Sequence, residues 1–241
     1  MKIYSITDPG KVRSSNQDAF FAGELIPDAA FAIVCDGMGG ANAGNVASET
    51  AVKVITDYII RSYRAKMDSF DIEKMLKNAI VSANIDVYDM SLKDATLSGM
   101  GTTVVAALIH NDEAVIAHVG DSRAYLVDDS LQQLTRDHSV VQSLVESGKI
   151  TPEDAKVHPR KNVITRALGA EENIVVDSMQ LVLKEGQTLL LCTDGLTGYA
   201  ESDEILNIFK TTDAELVPEK LVELAINGGG GDNITAVTLS L

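Results

Sequence analysis

The stretch FAIVCDGMGG, residues Phe31–Gly40, runs from a short apolar segment directly into an aspartate and a glycine. This pattern is typical of a buried β-strand that stops at a turn. Three further aspartates adjoin short apolar runs: Asp121 in AHVGDSR, Asp194 in LLLCTDG and Asp232 in GGGGDNITAV. Strand-end carboxylates that are far apart in sequence can converge in space, where they hold hard divalent cations.

The glycines beside these aspartates favour a metal site. Without a Cβ, Gly37 could bend so that its carbonyl oxygen reaches an ion. A single Asp-Gly pair more often marks only a tight turn after a strand. Four such signals in one chain shift the balance towards a site for Mg²⁺ or Mn²⁺, which prefer carboxylate and carbonyl oxygens.

Composition restricts the class of protein and its partners. The 241 residues are 45% hydrophobic, and we expect one domain over residues 1–241 rather than two small ones. A net charge of −15 argues against a nucleic-acid partner, and a phosphorylated substrate would also be repelled unless bound cations inverted the local potential.

The two cysteines and the hydropathy bear on location. Cys35 and Cys192 are too few for a disulfide scaffold and lie in apolar runs, so we expect buried, reduced thiols and a cytoplasmic protein. No apolar run approaches the roughly 20 residues that a membrane helix requires. The sequence therefore predicts neither export nor a membrane span.

The hydrophobic periodicity predicts an α+β domain of antiparallel sheets covered by helices. The predicted strands are two within Met1–Phe21 around the turn Asp8-Pro9-Gly10, then Ala29–Cys35, Thr102–His110, Ala114–Val119, Ala124–Val127, Ile174–Leu183, Thr188–Cys192 and Ile234–Leu239. One helix is predicted to start at Asn45, and another has its predicted N-cap at Thr151. The other predicted helices are Asp71–Met90, Ser139–Ser147, Asp203–Phe209 and Glu219–Ile226. The three consecutive strands between Thr102 and Val127 are expected to pair with one another, and the polar stretch 140–162 is expected to form a surface flap.

The order and context of the motifs make the pattern specific. The motifs are KVRSSNQDAF, CDGMGGANAG, SGMGTTVVAAL, AHVGDSRAYL, LTRDHS, NVITRALG, LLLCTDGL and GGGGDNITAV. In sequence order and spacing the chain resembles the PP2C-type metal-dependent protein phosphatases (the PPM family), especially the compact bacterial ones. The resemblance implies a four-layer α-β-β-α sandwich with two central antiparallel sheets flanked by helices, a metal centre at one edge, and hydrolysis of phosphoserine and phosphothreonine in proteins.

The same resemblance implies roles for individual residues. Asp36 matches the carboxylate that bridges two metals, Gly37 the residue whose carbonyl binds one of them, and Asp194 and Asp232 the remaining carboxylates. Asp18 matches an acidic residue of the metal site that mostly orients metal-bound water from behind the direct ligands. Asp121 matches a ligand of a third, weaker metal that it shares with Asp194. Arg13 matches the phosphate-binding arginine, and Asn233 is expected to fix its loop. The catalytic set is therefore Arg13, Asp18 and Asp36.

Elementary chemistry agrees with these roles. Two Mn²⁺ or Mg²⁺ ions about 4 Å apart lower the pKa of a shared water and orient it for in-line attack on phosphorus. Arg13 could hold two phosphate oxygens through its planar fork, although a surface salt bridge is the alternative role for this residue. The implied partners are phosphorylated proteins, among them a serine/threonine kinase and its substrates, and the expected state is a monomer.

Other chemistry fits the sequence less well. Cys35 and Cys192 lack the Gly- and Arg-rich loop of a thiol phosphatase, and the GGGG run before Asp232 lacks the lysine and serine of a nucleotide P-loop. The histidines have no mutual metal-ligand spacing and are expected to be structural or solvated, with His138 the best candidate for function. A catalytically silent phosphoprotein-binding module and a hydrolase of small phosphorylated metabolites remain as alternatives.

One position departs from the family pattern. Many bacterial relatives have a histidine after DGMGG that is proposed to protonate the leaving oxygen, whereas this chain has Ala41 followed by Asn42. Neither side chain is a general acid at neutral pH, and a general acid typically contributes 10²–10⁴-fold. We expect an active enzyme that is slower in leaving-group protonation.

Overall fold

Two antiparallel sheets lie face to face at the centre of the structure, a computed structural model that describes residues 1–241 apart from the side chains of Ala41 and Asn42. The strands are β1 (Lys2–Asp8), β2 (Asp18–Ile26), β3 (Ala29–Met38), β4 (Gly101–Thr102), β5 (Val104–His110), β6 (Glu113–Val119), β7 (Arg123–Val127), β8 (Leu131–Gln133), β9 (Asp177–Val182), β10 (Thr188–Cys192) and β11 (Ile234–Ser240). The helices are α1 (Gly40–Ser62), α2 (Ser69–Lys93), α3 (Val140–Glu146), α4 (Pro152–Val157), α5 (Asp194–Thr197), α6 (Ser202–Thr211) and α7 (Val217–Asn227).

One sheet has the strand order β1-β11-β10-β7-β8, and the other has the order β2-β3-β5-β6-β9 with β4 paired to β3. Every pairing is antiparallel. Because side chains alternate between the two faces of a strand, each sheet can bury both faces. In β3, Phe31 and Ile33 face α1 and α2, whereas Ala32 and Val34 face the other sheet.

Three separate hydrophobic cores follow from this alternation. The first lies between the β3 sheet and the helices α1 and α2, the second between the two sheets, and the third between the β10 sheet and the helices α5 to α7. In β10, Leu189 and Leu191 belong to the second core, and Leu190 and Cys192 to the third. The layers are therefore α-β-β-α, and the predicted fold class is confirmed.

The predicted boundaries around FAIVCDGMGG were wrong in two respects. The strand does not stop at Cys35 but continues through Asp36 to Met38, because Gly37 and Met38 pair with the short strand β4. Helix α1 starts at Gly40 rather than Asn45. Helix propensity alone predicts a loop for this glycine-rich segment. Packing requires the glycine at Gly44, where a Cβ would lie 2.8 Å from the carbonyl carbon of Gly37, whereas a Cβ on Gly40 would meet no atom within 4 Å.

The third strand of the predicted antiparallel series was also assigned to the wrong sheet. Strands β5 and β6 pair as expected, but β7 pairs with β10 and β8. Gly120, with φ of 107°, lies in the turn between β6 and β7, which carries the chain from one sheet to the other. Asp121 therefore lies at the junction between the sheets rather than in a hairpin.

The remaining predictions differ mainly at element ends. Strand β9 begins at Asp177 rather than at Ile174, while α3 and α4 have the N-caps Ser139 and Thr151. The four-residue helix α5, which starts at Asp194, had no signal of its own in the sequence. Among the residues that the structure describes, no helix combines the length and apolarity needed to cross a membrane.

Candidate metal centre

Five aspartates from both sheets converge at one edge of the sandwich. Asp18 and Asp36 lie directly opposite each other in the β2–β3 ladder. In the other sheet, Asp194 follows the end of β10 and Asp232 precedes the start of β11, and these two strands are antiparallel neighbours. Asp121 enters from the turn between the sheets.

The aspartates surround an open cleft of about 530 Å³. Its lining residues are Arg13, Ser14, Ser15, Gln17, Asp36, Gly37, Met38, Gly39, Gly40, Thr103, Asp121, Asn162, Ile164, Asp194, Asp232 and Asn233. Asp18 lies just beneath this surface, where only 8% of the residue is exposed. Every predicted site residue is therefore in the cleft or directly under it.

Threonine hydroxyls fix the deepest aspartate. The Oδ2 atom of Asp18 accepts hydrogen bonds from Thr193 Oγ1 at 2.9 Å and from Thr235 Oγ1 at 2.6 Å. The other carboxylate oxygen, Oδ1, is buried and has no partner among the described residues. A buried carboxylate oxygen without a donor is costly, and a cation or an ordered water beside it would satisfy it.

The carboxylates repel one another. Burial, followed by the charges of Asp194 and Asp232, raises the pKa of Asp18 to about 7. Burial and the charge of Asp194 raise the pKa of Asp121 to about 7 as well. The pKa of Asp36 is raised well above its ordinary value by burial and by the surrounding aspartates. A divalent cation would reverse this balance, because it favours the charged form of each carboxylate.

Asp36 lies at the centre of this cluster. Its backbone N–H donates to Thr103 Oγ1 at 3.0 Å, and its carbonyl accepts from Thr102 Oγ1 at 2.9 Å and from the Thr103 N–H at 2.9 Å. Its carboxyl group and that of Asp194 both line the cleft, and burial and the charge of Asp232 raise the pKa of Asp194. Two buried carboxylates in one cleft form a donor set suited to a shared hard cation.

Gly37 packs so tightly that no side chain would fit there. A Cβ at this position would lie 2.1 Å from the carbonyl oxygen of Gly44 and 2.6 Å from that of Gln17. The Gly37 N–H donates to the Gln17 carbonyl at 3.0 Å. This close packing holds the backbone of Gly37 in the lining of the cleft. The donor set of carboxylates and backbone carbonyl fits a divalent metal.

Arg13 places a positively charged side chain in the lining of the cleft, beside the aspartates. Its Nη2 atom donates to Asp232 Oδ2 at 2.9 Å, and the Arg13 side chain remains 53% exposed. The salt bridge considered from sequence therefore exists, but it lies in the lining of the cleft. The Asp232 carboxylate raises the pKa of Arg13, so the guanidinium stays charged.

Asn233 anchors the loop that carries Arg13. Its Oδ1 atom accepts from the Gln17 N–H at 2.8 Å, and its Nδ2 atom donates to the carbonyls of Pro9 and Ser15, both at 3.0 Å. Both polar groups of this buried side chain are thus used on the 9–17 loop, in three hydrogen bonds. The arrangement agrees with the loop-fixing role expected from the sequence.

The two cysteines lie inside the hydrophobic layers. Both are free and fully buried. Burial raises the pKa of Cys192 to about 12 and raises that of Cys35 further still. Neither thiol lines the cleft, so a cysteine nucleophile has no support in the structure.

A second polar cluster lies beside the centre. The rings of His118 and His138 stack at 4.9 Å, and with Asp177 they offer three ligand atoms within 4.8 Å of one another. Sequence spacing did not indicate this grouping, because the residues come from three separate segments. The guanidinium of Arg166 donates to Asp177 Oδ1 at 3.0 Å, so a cationic group already occupies this position.

The threonines that hold the aspartates were missed by the sequence interpretation. Thr103 binds the backbone of Asp36, and Thr193 and Thr235 bind Asp18. Each stands inside or beside an apolar run, in GTTVV, LLLCTDG and DNITAV. Of these three, Thr193 directly precedes an aspartate in the sequence, whereas Thr103 and Thr235 do not adjoin one.

Comparison with known proteins places this geometry in a family. The family model described as protein phosphatase 2C matches residues 11–224. A curated relative, the serine/threonine phosphatase stp of Listeria innocua, is 41% identical over 96% of this chain and 92% of its own length. The chain therefore belongs to the protein phosphatase 2C family, and the prediction of a serine/threonine protein phosphatase is confirmed.

Solved structures agree. The serine/threonine phosphatase Stp1 from Staphylococcus aureus matches with a TM-score of 0.93 and 34% identity, over 100% of this chain and 94% of that chain. The catalytic domain of the phosphatase PstP, solved in complex with two manganese ions, matches with a TM-score of 0.86 and 32% identity. The match covers 98% of this chain and 96% of that chain. Dependence on a divalent metal is supported by this second similarity.

Proposed function

We propose that the aspartate cluster holds two tightly bound Mn²⁺ or Mg²⁺ ions and that the chain uses them to hydrolyse phosphoserine and phosphothreonine in proteins. The proposed ligands of this pair are Asp36, Gly37, Asp194 and Asp232. The observation that carries the proposal is the convergence of buried, mutually repelling carboxylates from two sheets around a cleft. Such a cluster is stable in its charged form only when cations neutralise it.

We assign a third, weaker ion to Asp121. Its carboxylate lines the same cleft, and the charge of Asp194 contributes to its raised pKa. Asp121 comes from the turn between the sheets, whereas Asp36 and Asp194 are held by strand and helix ends.

Different residues contribute to different parts of the proposed reaction. When bound, the ions supply Lewis-acid chemistry: they activate water and neutralise charge on the phosphoryl group. Asp18, held by two threonine hydroxyls, orients the attacking water from beneath Asp36. Arg13 binds two phosphate oxygens through its planar guanidinium, which orients the group for in-line attack.

The proposed cellular setting rests on the same observations. We infer a cytoplasmic monomer because the cysteines are free and buried and because the charge of −15 keeps copies apart. The proposed partners are phosphorylated proteins, including a serine/threonine kinase and its substrates. We assign one domain to residues 1–241, with a flap over 140–162 that contains α3 and α4.

Phosphate release from a substrate panel tests the proposal. The panel contains phosphoserine, phosphothreonine and phosphotyrosine peptides of one sequence together with a small phosphorylated metabolite, each with Mn²⁺ and with chelator. We expect turnover of the first two peptides that chelator nearly abolishes. Preference for the metabolite would support the small-molecule alternative, and binding without turnover would support the silent module; either result contradicts the proposal.

A further inference from the structure

His138 forms two hydrogen bonds with Gly120, the residue that immediately precedes Asp121. The Nδ1 atom of its ring accepts a hydrogen bond from the Gly120 N–H at 3.0 Å, and its own backbone N–H donates to the Gly120 carbonyl at 2.9 Å. Both polar backbone groups of Gly120 are therefore bound by one residue, which is only 4% exposed. These two hydrogen bonds fix Gly120, the first residue of the turn that carries Asp121.

The other side of Asp121 is held separately. The hydroxyl groups of Ser122 and Thr103 are 2.6 Å apart, and Thr103 Oγ1 also accepts from the Asp36 N–H. A Cβ on Gly120 would lie 2.6 Å from the Thr103 side chain, so the turn packs directly on this residue. Asp121 is thus fixed relative to Asp36 on one side by hydroxyl groups and on the other by His138.

The ring of His138 has a defined tautomer. Because Nδ1 accepts the Gly120 hydrogen bond, the proton of the neutral ring is on Nε2, which lies 3.2 Å from its acceptor Asp177 Oδ2 and also 3.1 Å from Nη1 of Arg166. Asp177 accepts from Arg166 through its other oxygen, Oδ1. Asp177 therefore orients the ring, and the Nδ1 lone pair is directed at Gly120.

The same residue lies where the two ends of the flap meet. The Thr165 N–H donates to the His138 carbonyl at 2.7 Å, and the Val140 N–H donates to the Val163 carbonyl at 2.9 Å. The neighbouring residue Ser139 forms an isolated antiparallel bridge with Ile164, which lines the metal cleft. His138 is thus in contact both with the base of the flap and with the residue before Asp121.

We propose that His138 is a positioning residue that holds the Asp121 carboxylate through Gly120 and fixes it relative to the flap base. The role of Asp121 as ligand of a weaker ion belongs to the proposed function, and this inference rests on it. His138 itself contacts neither substrate nor ion. Loss of the Nδ1 acceptor would leave the buried Gly120 N–H unsatisfied and loosen the Asp121 turn.

Two substitutions separate the contacts of the ring. In His138→Asn the amide oxygen takes the place of Nδ1 and can still accept from Gly120, whereas the bond to Asp177 is lost. In His138→Gln the longer side chain reaches Asp177 but leaves Gly120 without an acceptor. We expect His138→Gln to raise the Mn²⁺ concentration for half-maximal turnover of a phosphothreonine peptide by about tenfold, and His138→Asn to remain near the wild type.

Calorimetric Mn²⁺ titration is the second measurement. Tight binding should be unchanged in both variants, because Asp36, Asp194 and Asp232 are not altered. Equal effects of the two substitutions on the Mn²⁺ requirement, no effect of His138→Gln, or loss of tight binding would each overturn the positioning role. Circular dichroism establishes that the variants fold.

Hydrogen exchange of the Gly120 amide tests the contact independently of activity. We expect protection in the wild type and in His138→Asn, and faster exchange in His138→Gln. Rapid exchange in the wild type would overturn the proposal even if His138→Gln did not fold. An Asp121→Asn variant with an unchanged Mn²⁺ requirement would instead refute the assignment of the weaker ion, which makes the two failures distinguishable.

Discussion

At the scale of single residues, the site is organised by hydroxyl groups as much as by carboxylates. Thr193 and Thr235 occupy one oxygen of Asp18, and the other oxygen is buried without a partner among the described residues. The aspartates themselves were predictable because each adjoins an apolar run. Their threonine partners were not, since a threonine within a strand has high β-propensity and needs no functional explanation.

Ala41 gives a prediction at this scale, made from sequence because its side chain lies outside those that the structure describes. A general acid matters most when the leaving group is an alkoxide and least when it is an activated phenolate. We expect Ala41→His to increase kcat on a phosphothreonine peptide by about tenfold or more while kcat on p-nitrophenyl phosphate changes little.

Ala41→Gln is the matched control, since glutamine has a polar side chain of similar length that does not titrate. The gain in Ala41→His should fade as pH rises above the pKa of the introduced histidine, because the neutral ring no longer protonates the leaving oxygen. Equal changes on both substrates, or the same gain in Ala41→Gln, would refute the role of this position.

At the scale of elements, periodicity predicted most strands and helices but not how strands are shared between sheets. A short turn after β6 usually leads to a hairpin, so β5, β6 and β7 were expected to pair in series. The turn at Gly120 instead passes the chain to the other sheet. Sequence spacing alone could not distinguish the two outcomes, because both β6 and β7 are buried and apolar.

The loop that carries Arg13 gives the prediction for this scale. Asn233 is its buried anchor, so Asn233→Ala should release the 9–17 loop and let Arg13 adopt more conformations. We expect KM for a phosphothreonine peptide to rise by about tenfold with a smaller fall in kcat, similar in kind to Arg13→Ala. The matched control is Asn207→Ala on the exposed face of α6. A fall in kcat with unchanged KM would contradict the anchoring role.

At the scale of the whole molecule, the four-layer architecture followed from resemblance to a family rather than from periodicity. Each strand pattern specifies two buried faces, but it does not specify which layer covers each face. The proposed metal centre depends on that choice, because Asp36 lies in β3 of one sheet and Asp194 follows β10 of the other, so they meet only when the sheets stack. Convergence of the site is therefore a property of the complete fold.

The raised carboxyl pKa values give a stability prediction for the metal-free protein. The pKa of Asp18 is about 7 in the folded chain, compared with about 3.9 for an unfolded aspartate. Between these values the folded state binds more protons than the unfolded state, so the free energy of unfolding falls as pH rises. The melting temperature of chelated protein should be higher at pH 5 than at pH 7.5.

Adding Mn²⁺ at pH 7.5 should reverse this loss, because the cations favour the charged carboxylates. Asp18→Asn should flatten the pH dependence of the chelated protein, whereas Asp86→Asn, on the exposed face of α2, should leave it unchanged. Thermal melts with and without chelator measure both effects. A melting temperature of chelated wild type that rises from pH 5 to pH 7.5 would contradict this electrostatic account.

Mn²⁺ titration calorimetry of the metal-ligand variants tests the central claim most directly. Asp36→Asn, Asp194→Asn and Asp232→Asn each remove one charged oxygen ligand while keeping the size of the side chain, and Asp86→Asn removes an exposed carboxylate of the same charge. We predict two tight sites in the wild type and in Asp86→Asn, and affinity weakened by about 100-fold or more in the other three with circular dichroism unchanged. Unchanged Mn²⁺ affinity in those three variants would contradict the assignment of this cleft as the metal centre.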